Sequence, residues 1–286
     1  MRLVQTSQGA RHGVYFPFAR ETIAVHTERN PDDPRITHEL VLDVDDFGNV
    51  TRKAAIAYAR ATASAVEDEQ KQAWATLNEA AFINNATGTF YRLGLPYEEK
   101  SFELVDVPGL LPGGQALVDR EALRTAILGI PAARDFPYDA TPTGTGLKRR
   151  MLAHSQHLYY DNDATGTLPT VAAARAQAGS LALPFESYTL ALTAGLVQEI
   201  VDESAGLAGV PLNPSLLTAT DGGAYARRPG DDGYWIPTGR AVFDPAQFYL
   251  PRRRSTRSIA TPLSSTTTFH CWRKPRRTRW ATSHAW

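Results

Sequence analysis

Leu40, Leu42 and Val44 recur at every second position, and Val50, Ala54, Ile56 and Tyr58 do the same after a short polar stretch, with Arg52 the exception. Period-two alternation on both sides of Asp46-Phe47-Gly48-Asn49 predicts a β-hairpin whose two strands each turn one apolar face inward. Gly48 can take positive φ without a Cβ clash, and Asp46 or Asn49 can bond neighbouring backbone groups. Upstream, Ile23, Val25 and Thr27 alternate before the rigid polar turn Asn30-Pro31-Asp32-Asp33-Pro34.

Beyond the hairpin the pattern changes character. "SAVEDEQKQAWATLNEAAFINN" is helical by composition in its first half. Its second half also fits a strand through Trp74, Thr76, Asn78 and Ala80. "YRLGLPYEEKSFELVDVPG" predicts an extended pair broken at Gly94 and Pro96. Asp119 to Leu128 places Ala122, Leu123, Ala126 and Ile127 at helical spacing and is the clearest amphipathic helix. A Gly- and Pro-bearing link, Pro137 to Gly146, leads to "LKRRMLAHSQHLYYDNDATG", which both periods fit equally. "LALPFESYTLALTAG" is strand-like, Leu196 to Glu203 is a short helical piece, and "DGYWIPTGRAVFDPAQFYLPRR" is aromatic, extended and turn-rich. Strand outweighs helix, with neither a βαβ alternation nor an internal repeat. The expected fold is mainly β with short helices, built from antiparallel hairpins.

Composition adds limits. The 286 residues suffice for a sizeable core. Apolar runs fall short of the roughly 20 residues of a membrane helix, and the start, MRLVQTSQGARHG, has no signal-peptide core. One cysteine, Cys271, rules out an intrachain disulfide framework. The net charge of zero conceals a division. No Asp or Glu follows Asp244, and nine of the 30 Lys and Arg lie from Arg252 onward, so residues 1–250 carry −9 and the remainder +9. Three of the five Trp share that tail.

Each candidate site has a plainer explanation. Asp46-Phe47-Gly48 matches a kinase metal-binding triplet in letters only, without a Gly-rich loop or catalytic loop, and between two strands. Asp161 to Gly166, "DNDATG", begins like a calcium loop, but position twelve is Ala172 and Pro169 interrupts it. His154, His157 and Asp161 have a spacing that suits a metal on a helix, yet the segment fits a strand as well and H-E-x-x-H is absent. Ser180, Ser187 and Ser204 lack a G-x-S-x-G context, and "VDVPGLLPGGQ" lacks the Lys-Ser/Thr of a phosphate loop. A metal-dependent enzyme using His154, His157 and Asp161 is one alternative function. Nucleic-acid binding through the basic tail, with Arg252-Arg253-Arg254 and "RKPRRTRW", is another.

The genetic code gives the tail a different origin. Joining the last base of each codon to the first two of the next, His270–Cys271 and Cys271–Trp272 must each yield Leu, and Trp280–Ala281 must yield Gly. The free bases permit V-D-P-F-D-R-N-A from Ser255, V-D-Y-D-V-S-L-L-A-E-A from Ser265 and D-A-L-G-N-V-T at the end. Acids, strands and a D-x-x-G-N turn are thereby restored. The expectation is a frameshift near Arg253 to Thr256, which leaves a β-rich unit over 1–253 and a basic, disordered tail over 254–286.

"HTERNPDDPRITHELVLDVDDFGNVTRKAAIAYAR", "TLNEAAFINN", "YRLGLPYEEKSFEL", "LKRRMLAHSQHLYY", "LALPFESYTLALTAGL", "YWIPTGRAVFDP" and "FYLPRR" together resemble the B component of insecticidal toxin complexes (Tc toxins), the TcdB/TcaC-like, SpvB-containing proteins. The likeness lies in the middle/C-terminal region adjoining the RHS/YD repeats and covers most of residues 12–253. It implies a slice of an RHS-type β-sheet shell that encloses and delivers a cytotoxic domain. It makes Thr76 to Asn85 a strand, against the helical composition around it. The implied partners are the remainder of the B component and the C component of the shell, with the A-component channel through the holotoxin. The resemblance implies no enzyme, no cofactor, no catalytic or metal residue, and no nucleic-acid or membrane contact by this segment. It also implies an extracellular site of action for a product made in the bacterial cytoplasm.

Overall fold

The computed structural model describes residues 2–7, 9, 11–27, 33–60, 67–86, 88, 90–108, 117–161, 176–208, 213–219, 222–229 and 231–255. Along the chain run β1 (Arg2–Gln5), β2 (Val14–Phe16), β3 (Glu21–His26), β4 (Arg35–Val44), β5 (Val50–Ala57), β6 (Trp74–Asn85) and β7 (Arg92–Val105). Helix α1 (Arg120–Leu128), β8 (Asp135–Phe136), β9 (Lys148–Tyr159), β10 (Pro184–Leu192), α2 (Ala194–Ala208) and α3 (Ser215–Thr218) follow. The remaining strands are β11 (Ala226–Arg228), β12 (Asp231–Pro237), β13 (Arg240–Asp244) and β14 (Leu250–Ser255).

Ten of these strands form one sheet in the order β11-β12-β10-β9-β7-β6-β5-β4-β3, with β8 beside β9. Every pairing is antiparallel except the short β8–β9 contact. From β3 to β7 each strand pairs with the next in sequence, as hairpin signals predict. β1–β2 and β13–β14 are separate two-stranded ribbons.

The core lies on one face of the sheet. Leu40, Leu42, Ala54, Ile56, Leu77, Phe102 and Leu104 project from β4 to β7 and pack against Val118, Leu123, Ile127 and Leu147. Those covering residues come from the crossover between β7 and β9, which carries α1 over the sheet. Asp119 starts α1 by accepting the Ala122 N–H at 2.7 Å, and Leu123 and Ile127 sit one turn apart on its buried stripe. A second cluster, Leu158, Tyr160, Phe185, Tyr188, Ala226, Trp235 and Phe243, fills the β9–β12 end and is closed by the β13–β14 ribbon.

Two sequence expectations change. The helical composition before Trp74 gives a single 3-10 turn, Asp68–Lys71, with residues 61–66 outside the described ones. The second half is the 12-residue strand β6, as the resemblance implies against the helical composition around it, because Ala75 and Leu77 fill the core between β5 and β7 and packing overrides propensity. Gly94 and Pro96 do not divide β7, a continuous 14-residue strand. The register instead slips at Ala81/Phe82 and Ile83/Asn85, and these irregularities absorb a proline without N–H and a glycine at φ +71°. The apolar alternation of Ile23 and Val25 is real, but both are exposed, at 44% and 55%.

Candidate functional site

The β4–β5 turn is held by Asp45, the residue before the Asp46-Phe47-Gly48 triplet. Its Oδ1 accepts the backbone N–H of Phe47 at 2.9 Å and of Asn49 at 2.8 Å. Its Oδ2 accepts the amide of Asn49 at 2.8 Å and of Asn84 at 2.8 Å. Asn84 also accepts the Gly94 N–H at 2.8 Å. One carboxylate thus closes its own turn and ties it to β6, and through Asn84 to β7. Burial alone would raise the Asp45 pKa, but the hydrogen bonds from Asn49, Asn84 and Phe47 outweigh it and hold the group below the ordinary carboxylate range. Gly48 lies at φ +87°, and a Cβ there would meet the Phe16 ring at 2.7 Å. The sequence shows the turn and offers Asp46 or Asn49 as bonding residues; Asn49 is one of the donors, and the acceptor Asp45 is the residue it does not single out. Asn84 lies 39 residues away from Asp45, so no local signal points to it.

A second polar array runs across the strands beside the core. Asp43 accepts from Arg124 of α1 at 2.7 Å and from Arg52 at 3.0 Å, and Arg52 reaches Glu79 at 3.0 Å. Arg149 joins Glu79 at 3.4 Å and Asp135 at 2.6 Å while lying over the Phe102 ring. Burial works against ionisation of Asp43, yet the bonds from Arg124 and Arg52 keep its pKa low. Arg52, out of pattern in the sequence, is therefore the link between β4 and β6. Arg120, only 8% exposed, donates to the carbonyls of Val41 at 2.6 Å and Leu42 at 2.8 Å, beside a register slip in β4. It anchors α1 to backbone groups that the slip exposes. A cleft of about 230 Å³ opens among Thr51, Arg52, Glu79, Ala80, Ala81, Glu98 and Lys100. The charges of Arg52, Glu79, Glu98 and Lys100 are committed to one another or to neighbours, so the cleft presents paired ions rather than a reactive group.

The histidine spacing does not converge. β9 is a strand, so His154 and His157 fall on opposite faces. His154 is buried, bonded to Glu98 at 2.7 Å and set edge-on to Trp235 at 4.7 Å. His157 pairs instead with its cross-strand neighbour Ser187 at 2.9 Å. Asp161 is exposed beyond the end of the strand. Among the described residues no three His, Cys, Asp or Glu converge as metal ligands. Ser204 donates to the Val201 carbonyl of its own helix. Ser180 has a buried hydroxyl, and its carbonyl accepts from Arg92. "DNDATG" beyond Asp161, Cys271 and the basic tail from residue 256 lie outside the described residues, as do the side chains of Arg252 to Arg254. Among the described residues no helix is long and apolar enough to cross a membrane.

The described polar groups thus act as locks between strands, turn and helix. Residues 1–95 match the family model described as the insecticide toxin TcdB middle/C-terminal region. The sheet as a whole is similar to the crystal structure of TcdB2-TccC3, with a TM-score of 0.60, 19% identity, and coverage of 86% of this chain and 12% of that one. It is also similar to TcdB2-TccC3 without its hypervariable C-terminal region, with a TM-score of 0.61, 22% identity, and coverage of 89% and 12%. At these identities the structural likeness concerns the fold, which extends the TcdB-type architecture well past residue 95. The chain spans about an eighth of the length of those solved chains. No curated protein matches the sequence. The hairpin of β4 and β5, with its Asp45 lock, lies inside the matched stretch.

Proposed function

We propose that residues 1–253 are a structural segment of a Tc toxin B component and contribute wall strands to the shell that encloses and delivers a cytotoxic domain. The observation that carries this reading is the ten-stranded, almost wholly antiparallel sheet, in a fold similar over 86% of the chain to TcdB2-TccC3, with the TcdB match at its start. The chemistry supports it: the conspicuous carboxylates and cations hold turns, strands and α1 together instead of facing a substrate. The segment does no catalysis of its own and acts outside the producing cell as part of the assembly. Its partners are the rest of the B component and the C component, with the A-component channel engaged through the holotoxin. Residues 254–286 are a frameshifted tail with no binding role.

The test is reconstitution. The chain is co-expressed with a C component and a B component lacking the corresponding stretch, and particles are separated by size exclusion. Co-elution of the chain in a shell-sized particle is expected. A chain that elutes alone while the other two components behave identically with and without it overturns the reading.

A further inference from the structure

His38 lies on the core face of β4, opposite Ile23 of β3 and Ile56 of β5, and is 1% exposed. Its Nδ1 is 3.0 Å from the hydroxyl of Tyr58, just past the end of β5, and its Nε2 faces Glu21 of β3 at 3.4 Å. The Tyr58 hydroxyl in turn accepts the Val118 N–H at 2.9 Å. Val118 immediately precedes Asp119, the cap of α1, so this bond clasps the crossover to the sheet where α1 begins. A backbone N–H can only donate, and that fixes the order of protons along the chain. Tyr58 accepts from Val118, so its own proton points to Nδ1 of His38, and that nitrogen is assigned as the unprotonated one. The ring proton therefore sits on Nε2, toward the Glu21 carboxylate. With the opposite tautomer Tyr58 would accept two bonds and strand its own buried O–H.

We propose that this clasp is an acid-sensitive latch: a second proton on His38 frees Val118 and loosens the first turn of α1 from the core face. The incoming proton occupies Nδ1 and turns the acceptor of the Tyr58 proton into a donor. Two donors, Nδ1–H and the Val118 N–H, then converge on one oxygen whose own hydrogen is stranded in the core. The conflict is relieved when Val118 moves off, which frees a lone pair and admits water to the hydroxyl. The titratable groups facing the ring are Glu21 and Tyr58. Arg120 and Glu121, at the start of α1, bind Val41, Leu42 and Arg20 instead. Glu21 attracts the added charge, but its side chain is 45% exposed, where water weakens the attraction. It also faces Nε2–H already, so the second proton makes no new bond on that side.

The experiment is hydrogen–deuterium exchange of the full chain at about pH 7.5 and about pH 5.5, the interval in which histidine changes charge, with protection corrected for the intrinsic exchange rate. Asp43 and Asp45, whose pKa values are lowered, stay ionised throughout it. In the wild type the Val118 amide and the first turn of α1 should lose protection by roughly tenfold at the lower pH. His38→Gln, whose carbonyl can accept the Tyr58 proton but does not titrate, should lose none; His154 and His157 are intact in that variant, so any effect of theirs persists in it. Tyr58→Phe removes the acceptor and should leave the Val118 amide unprotected at both pH values. Imidazole nitrogen shifts of the wild type, read by NMR at the higher pH, test the tautomer without any substitution, and a proton on Nε2 is expected. Equal wild-type protection at the two pH values overturns the proposal. So does a loss that survives in His38→Gln, or a neutral ring that carries its proton on Nδ1.

Discussion

Asp45→Ala removes one carboxylate and strands four donors: two backbone N–H groups and the amides of Asn49 and Asn84. Hydrogen bonds to a charged acceptor contribute about 1.5–3 kcal/mol each when deleted singly. The site is half-buried, so water re-enters and the four losses overlap. The net cost is therefore about 2–4 kcal/mol, which for a chain of this size lowers Tm by roughly 3–7 °C. Circular dichroism melts of wild type, Asp45→Ala, Asn84→Ala and the double variant measure it. The two singles should be coupled by about 1 kcal/mol, since each leaves the other's group without its partner. Asp46→Ala should cost less than half as much as Asp45→Ala, because Asp46 is exposed and lies outside this carboxylate lock. The pH dependence has a definite sign. The folded pKa of Asp45 lies below its ordinary value of 3.8, so its contribution is fully present above that value. It is lost as pH falls through the lowered folded value. Wild type and Asp45→Ala should therefore converge in stability in strong acid. A cost under about 0.5 kcal/mol, the level of an ordinary surface substitution, or strict additivity with Asn84→Ala, refutes the lock.

Other substitutions probe the remaining contacts. Gly48→Ala forces an L-residue to φ +87° with its Cβ against the Phe16 ring, and should cost about 1–3 kcal/mol in urea denaturation. Arg120→Met keeps the aliphatic stem but removes the donors to Val41 and Leu42. A loss of about 2–4 kcal/mol is expected, with faster amide exchange in α1 read by hydrogen–deuterium exchange. Leu77→Ala, at a fully buried position in the centre of β6, should cost about 2–5 kcal/mol by the same denaturation assay.

How far the sequence foretells this structure depends on how local each determinant is. The β4–β5 hairpin and α1 were legible because their apolar spacing is regular and their turn or cap lies within a few residues. β9 fitted both periods because its pairing with β7 slips at Ser101/Phe102. Met151 and His154 accordingly face inward while Leu152 is 49% exposed, which breaks strict alternation. β6 is ambiguous by composition because Glu and Ala occupy a strand flanked on both sides, where neighbours decide the conformation. The candidate site was the least legible part. Its groups, Asp45 with Asn84 and Arg120 with Val41, are 39 and 79 residues apart. The His154/His157 spacing carried the opposite lesson, since three residues bring side chains together on a helix and separate them on a strand.

The most direct test of the central claim, that this chain is a slice of a Tc toxin B-component wall cut short by a frameshift near codon 254, is sequencing the DNA from codon 245 to beyond codon 286. A single-base gain or loss near codon 254 is predicted, with the corrected frame continuing into further Y-D strands and G-N turns like the one held by Asp45. A frame that stands as printed, with the basic tail encoded as written, contradicts the account.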